Sequence, residues 1–494
     1  MSPDPAAVTR RRFLALAGTA IGAAVVARPA AAAPRKRAAA GRFLSRPDLR
    51  PPPIEIGTRA AGRAPGSIML SPFDITGKAP ATQQAGPLIV DDTGEPIWFL
   101  PLTGVSAMGL RVQKYRGKPV LTWYEGQVLG PYGGSFVVAD TSYRELMRVK
   151  AGHGYHADLH EILLTTRGTA LITIYNQLQV DLSGIGGSPT AQVVEGIVQE
   201  LELPSGRVLF EWHSLDHVGA DESFTPQVTP QNNVDYFHLN SIGVDLDGHL
   251  LASARNTSTV YKLHRKTGQI LWRLGGKKSD FQIDPDAAFS FQHDVRRQPD
   301  GTLTIFDNAA SLPPTGDTGT ATSRPMRLAL DMSAMRARLV EVLPAPTPRL
   351  VWAMGNLQQL PDGGSFVDWG TAGAFTEYAS DGTVLLDATF GDGSVSYRAF
   401  RFPWKGLPAG RPSIAVRPGS AGGVIVYASW NGATEVARWR VLAGPTAASL
   451  RTVASAKRSG FETAVTAPVT SGRLLVAALD SRGRELGRSV AVKL

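Results

Sequence analysis

The sequence predicts an all-β chain: a six-bladed β-propeller with velcro closure, followed by a C-terminal immunoglobulin- or fibronectin-like β-sandwich. Three observations predict it. Gly (52) and Pro (35) are frequent among 494 residues, and they punctuate many short Val/Ile/Leu/Thr runs, the pattern of strands joined by tight turns. A strand–turn–strand unit then recurs along the middle of the chain. Finally, the character of the sequence changes near residue 410, where a second set of short alternating strands begins.

The order of segments follows from local patterns. Residues 1–33 read as a twin-arginine signal peptide. Thr9-Arg10-Arg11-Arg12-Phe13-Leu14 precedes an apolar run, Phe13 to Ala27, and small residues at Ala30 to Ala33 offer cleavage. That places the protein outside the cytoplasm or in the cell envelope. The apolar run is short and rich in small residues, and no other stretch approaches the length of a membrane span, so the mature chain is expected to have none. Residues 34–65 are rich in Pro, Arg and Gly and read as an extended N-terminal segment.

Residues 66–405 carry the repeat. His160 leads to Gly168, Asn240 to Gly248, His293 to Gly301, Asn356 to Gly364 and Gly109 to Gly117, each as strand, turn at Gly, strand. A second element alternates with it: TGEPIWFL (93–100), SGRVLFEW (205–212), TGQILWRL (267–274) and DGTVLLDA (381–388). The spacing suits four-stranded blades with insertions. Five blades run in series between about 105 and 390. Ser67–Leu70, Leu88–Val90 and Ile97–Leu100 supply most of a sixth, which Tyr397–Phe402 completes from the far end, so that no edge is left bare. A seven-bladed ring is the rival, because the insertion between 176 and 235 has room for further strands. Residues 410–494 hold about seven short strands and no visible chemistry, which suits a surface adhesion or spacer module.

Composition removes several functions. The chain has no Cys, which excludes a disulfide scaffold, Cys-ligated zinc, iron–sulfur clusters and a thiol nucleophile. The net charge of +9 suggests nucleic acid, but residues 1–42 hold eight Lys/Arg against Asp4 alone. The rest is close to neutral, so no nucleic-acid partner is expected. Gly275-Gly276-Lys277-Lys278 lacks phosphate-loop spacing.

The nine histidines all lie between His153 and His293, and the last 201 residues have none. In a propeller the first strand of each blade lines the axis, so His160, His238 with Asn240, and His293 converge there. Arg255 ends the following strand and reaches the same mouth. His249, His264 and His213 are read as structural histidines at turns. An Arg beside imidazoles suits an oxyanion. Zinc is the competing reading, weakened by that Arg and by carboxylates limited to Glu161 and Asp294; no metal and no cofactor is expected.

These residues carry a resemblance. FHLNSIGVDLDGHLLASARNTSTVYKLHRKTGQILWRLGGKKSDF (237–281), FSFQHDVRRQPDGTLTIFDNA (289–309), HADLHEI (156–162) and SLDHVGADES (214–223) resemble the bacterial arylsulfotransferases, which use no activated nucleotide donor. The likeness spans roughly 66–405 and points to a divergent, actinobacterial-type branch. It lacks the N-terminal sandwich and cysteine pair of better-known members and adds a C-terminal sandwich. The resemblance implies a six-bladed propeller that moves a sulfuryl group from a phenolic sulfate ester to a phenol through a sulfated histidine. It implies His293 as nucleophile, His238 and Asn240 as sulfate binders, Arg255 as the sulfate clamp and His160 as a further channel histidine. His217 is implied as a rim residue and Asn308 as a contact at the mouth. The alternatives from other classes are a non-catalytic secreted propeller binding an anionic ligand or glycan, and a metal-dependent hydrolase.

Overall fold

The structure is a computed structural model that describes residues 43–75, 84–127, 133–225, 233–309, 322–419 and 422–494, together with the strand Lys36–Arg37. The leader expected over 1–33 lies outside the described residues. The described chain is all-β, with six short 3-10 turns besides the strands. Among the described residues no helix is long and apolar enough to cross a membrane.

The strands group in fours. Phe400–Phe402, Ser67–Leu70, Leu88–Val90 and Pro96–Phe99 form one sheet, which pairs chain regions more than 300 residues apart. Leu239–Val244, Leu250–Ala254, Thr259–Leu263 and Ile270–Gly275 form another. His293–Arg297, Leu303–Asp307, Arg324–Asp331 and Arg336–Val342 lie side by side in a third, which Gln282–Ile283 extends to five strands, and Asn356–Gln359, Ser365–Asp368, Ala374–Tyr378 and Val384–Phe390 in a fourth, which Ile54–Arg59 and Lys36–Arg37 extend to six. A nine-stranded sheet holds two further sets, Ser106–Val149 and Ala157–His213, joined only by the pair Ala157 and Gly134. Among its described residues, the stretch between 176 and 235 adds no separate sheet. It lengthens the Thr169–Val180 and Ala191–Glu202 hairpin and lays Asn233–Asp235 parallel to it. Part of the segment read as merely extended is paired as well: Ile54–Arg59 adds a strand beside Val384–Phe390.

Turn chemistry explains the strand boundaries. Gly168, Gly248 and Gly301 all have φ between +74° and +86°, a region that costs Gly little and other residues more. Each N–H closes its turn on the carbonyl three residues back, at Thr165, Asp245 and Gln298. In the fourth copy that role falls to Gly363, whose N–H reaches the Leu360 carbonyl, rather than to Gly364.

Apolar side chains fill the space between neighbouring sheets. Trp212, Phe237, Leu239 and Tyr261 share one buried cluster, and Leu251, Val260, Trp272, Val295 and Ile305 another. Each such burial contributes roughly 1.5–3 kcal/mol, so the sheets are locked side by side. The innermost strands Ser106–Tyr115, Ala157–Leu164, Leu239–Val244, His293–Arg297 and Asn356–Gln359 touch one another in succession. That succession brings residues distant in sequence to one place.

The C-terminal stretch forms a three-stranded and a five-stranded sheet that share one apolar core around Val426, Trp439, Val441 and Val476. It is fastened to the rest of the chain. Asn431 receives the Phe99 N–H and donates to the Phe99 carbonyl, both at 2.9 Å. Gly432 donates to the Ile97 carbonyl, and Phe461 joins the core of Ile68, Leu88 and Phe375. These contacts are more extensive than the spacer reading anticipates.

Candidate active site

Three imidazoles and one guanidinium meet at the innermost strand ends. The rings of His160 and His238 lie 5.1 Å apart, edge to face. Tyr397 bridges the group, 5.3 Å from His160 and 6.5 Å from His293 between ring centres. Tyr175 stacks on His160 at 5.1 Å. The structure therefore brings together His160, His238, Arg255 and His293, which the sequence places on three separate repeats.

Each histidine is held at Nδ1. His160 Nδ1 donates to Asp158 Oδ1 at 2.5 Å, and Thr173 donates to the same oxygen. His238 Nδ1 donates to Asp235 Oδ2 at 2.5 Å. His293 Nδ1 lies 2.7 Å from Asn308 Oδ1, and the Met354 N–H points to His293 Nε2 at 3.3 Å. Burial pushes His293 well below the usual imidazole range, and the charge of Arg255 adds to that shift. His238 is lowered too, by burial first, although Asp235 opposes it.

Arg255 is 3% exposed and forms no ion pair among the described residues. Its Nη1 donates to Asn256 Oδ1 and its Nη2 to the Trp352 carbonyl, both at 2.9 Å, while the buried Nε has no partner. The guanidinium lies over the Phe291 ring at 5.1 Å. Burial lowers its pKa to about 10, which leaves it cationic at neutral pH. The Asp235 carboxylate opposes that desolvation only in part and forms no ion pair with Arg255, and a buried cation so placed gains when an anion joins it.

The backbone around the site is left-handed at several non-glycine residues: His238, Phe291, Asp294, Ala309 and Met354, with φ between +49° and +69°. Such residues cost on the order of 1–3 kcal/mol each and persist where the surroundings over-determine them. Gln292 shows how. It is fully buried, and its amide donates to Ser253 Oγ and to the Ala254 and Thr259 carbonyls.

A layer of paired charges lies against the site. Glu161 accepts from Arg111, Arg296 and Arg398, and Asp294 accepts from Arg296. Burial alone would raise Glu161, but the three guanidiniums outweigh it and hold the carboxyl at about 2. The two carboxylates read as possible metal ligands are thus engaged by arginines. Asp294 faces this layer rather than His293, at a bulge where its own φ is +52°. Arg398 also donates to the Asn240 carbonyl at 2.9 Å, which ties the layer to the site.

Other expected residues are placed differently. Asn240 is buried, but its amide nitrogen donates to the Gln292 carbonyl at 2.7 Å and its Oδ1 has no partner, so it braces the His293 strand. His217 stacks flat on Trp212, 5.4 Å between centres, and touches none of the three imidazoles at the site. Asn308 is fully buried behind His293 rather than at a mouth. His213 bonds Glu195 and Glu211, while His249 and His264 accept backbone N–H groups at turns.

The sequence reading missed Asp158, Asp235, Tyr175, Tyr397 and Trp352. Asp158 was within reach, because residues two apart on a strand share a face. Asp235 was not, since its contact depends on the left-handed turn at His238.

No curated protein matches the sequence. Solved structures similar to it include a protein of unknown function from Bacteroides caccae, 15% identical over 68% of this chain and 98% of that one, with a TM-score of 0.41. A catalytically inactive virginiamycin B lyase from Staphylococcus aureus with quinupristin is 9% identical over 86% and 99%, with a TM-score of 0.33. A hydrazine synthase from Kuenenia stuttgartiensis is 13% identical over 65% and 80%, with a TM-score of 0.34. The family described as arylsulfotransferase (ASST) matches residues 111–391, more than half of the chain. That stretch contains His160, His238, Asn240, Arg255, His293 and Asn308, and the chain belongs to the arylsulfotransferase family.

Proposed function

We propose that the protein is an aryl sulfate sulfotransferase that moves a sulfuryl group from a phenolic sulfate ester to a phenolic acceptor through a sulfated His293. The observation that carries this reading is the buried, unpaired guanidinium of Arg255 beside three imidazoles. A sulfate monoester is a compact anion with oxygens that match the fork of an arginine. Each charge-assisted hydrogen bond is worth roughly 1.5–3 kcal/mol. Two exposed aromatic residues support an aryl ester. Trp352 and Phe224 are 48% and 47% exposed. Trp352 binds Arg255 through its carbonyl, and the Phe224 N–H binds the carbonyl of Asn256.

Sulfuryl transfer, like phosphoryl transfer, gains most from positioning and charge stabilisation. The neutral imidazole of His293 attacks sulfur, the N–S bond forms and the S–O bond to the aryl group breaks. His160 gives a proton to the departing phenolate. The incoming phenol then returns a proton to His160 as its oxygen attacks sulfur and frees His293. His238 donates to the sulfuryl oxygens alongside Arg255. The sheets of residues 66–405 form a six-bladed propeller closed by the pairing of Phe400–Phe402 with Ser67–Leu70, and residues 410–494 form a sandwich. Residues 1–33 direct export by the twin-arginine route, so donor and acceptor are small molecules met outside the cytoplasm.

The test is turnover of a chromogenic aryl sulfate with a phenol acceptor, on wild type and His293→Ala, with intact-mass measurement after donor alone. Wild type gains one sulfuryl group and the variant gains none. Turnover that survives His293→Ala would remove His293 as the carrier. Ligand binding without turnover or mass gain would instead support an anion-binding protein.

A further inference from the structure

We propose that Asn308 is the positioning residue for His293: it fixes the imidazole proton on Nδ1 and leaves the lone pair on Nε2 to meet sulfur. The proposal rests on the sulfohistidine reading and says which nitrogen carries the group and why.

The hydrogen bonds decide the orientation of the Asn308 amide. Its nitrogen sits 2.8 Å from the Val351 carbonyl and 3.0 Å from the Met354 carbonyl. Carbonyls only accept, so the atom facing them must carry protons. The other atom is therefore the oxygen, and it lies 2.7 Å from His293 Nδ1. An amide oxygen only accepts, so Nδ1 must bring the proton. A neutral imidazole has one proton, and Nε2 is left with its lone pair. The Met354 N–H, aimed at Nε2 from 3.3 Å, agrees with that assignment. At that length it is a weak bond, easily displaced by sulfur. Asn308 cannot turn freely, because it is 0% exposed and its own carbonyl accepts from Ser323 Oγ at 2.7 Å.

The chemistry of the partner separates His293 from the other two imidazoles. His160 and His238 each present Nδ1 to a carboxylate, Asp158 and Asp235. A carboxylate favours the imidazolium, which has no lone pair to attack with, although at His238 burial outweighs Asp235. An amide oxygen orients the ring in the same way but brings no full negative charge. The amide-backed ring is therefore the nucleophile, and the carboxylate-backed rings suit proton transfer and donation to oxygen. Burial and the charge of Arg255 act on His293 in the same direction.

Nitrogen-15 NMR of histidine-labelled full-length protein tests the assignment without any substrate. The His293 signal is identified by its loss in His293→Ala. We expect a neutral ring at neutral pH with the proton on Nδ1 in wild type. In Asn308→Asp the carboxylate raises the His293 titration, so the acid limb of kcat/KM moves to higher pH. In Asn308→Ala kcat falls by about 100-fold, the size of effect of a misplaced reacting group, with KM changed little. A proton found on Nε2 in wild type would overturn the proposal, and so would an Asn308→Asp acid limb that does not move. The wild-type spectrum is decisive even if the variants fail to fold. If the tautomer is as stated but no aryl sulfate turns over, the functional reading fails and this assignment stands.

Discussion

His293 has a consequence for stability as well as for chemistry. Its folded pKa is depressed by burial and by Arg255. Above about pH 6.5 both folded and unfolded forms hold it neutral. Below that, the unfolded chain takes up a proton that the folded site refuses, so acid favours unfolding. His213 has the opposite sign, because its two glutamates raise it against burial, and its contribution is lost as pH rises. Comparison with His293→Gln isolates the first effect. Between about pH 7 and pH 5 the wild-type Tm should fall more steeply than that of the variant; parallel curves would show that His293 does not resist protonation.

Strands meet the neighbouring strands through small residues, and Gly134 is a sharp case. It forms the single pair, with Ala157, that joins the two halves of the nine-stranded sheet. A Cβ there would stand 2.2 Å from the buried ring of Tyr124. Gly134→Ala should therefore destabilise by about 1–3 kcal/mol, read as a lower denaturant midpoint with an unchanged slope. The strand–turn–strand copies were legible in the sequence, because a Gly closing a turn followed by a β-rich run fixes a hairpin locally. The convergence of His160, His238, Arg255 and His293 was legible through the repeat: His160 and His293 are lead positions, His238 stands two before the lead Asn240, and Arg255 directly follows the next strand of that same copy. What supports them was not. Asn308 follows the partner strand of His293, and Tyr397 lies in the bend between Val395–Ser396 and Phe400–Phe402. The first contact depends on how the chain turns out of the paired strand after Asp307, and the second on how separate parts of the fold face each other, neither of which strand periodicity encodes. The placing of His217 was not legible either: its ring stacks on Trp212, a contact set by the 3-10 turn between them.

The two ends of the described chain act on one sheet. Ser67–Leu70 pairs with Phe400–Phe402, and on the far side Pro96–Phe99 is the last strand. Asn431 and Gly432 satisfy the outer groups of Phe99 and Ile97. The C-terminal sheets therefore stabilise the catalytic part rather than hang from it. Intact protein should melt in a single calorimetric transition. Asn431→Ala, which leaves two backbone groups of Phe99 without that partner, should lower stability by about 1–3 kcal/mol. Two separate transitions in the wild type would show that the parts are energetically independent.

An open strand edge invites pairing with other chains. Phe99 and the side chain that covers it lie 332 positions apart. During synthesis this edge thus stays bare until almost the whole polypeptide has left the ribosome. Nascent chains halted before Asn431 would carry a sticky flank that finished molecules hide, and clumping of such fragments is the cost of closing a seam last.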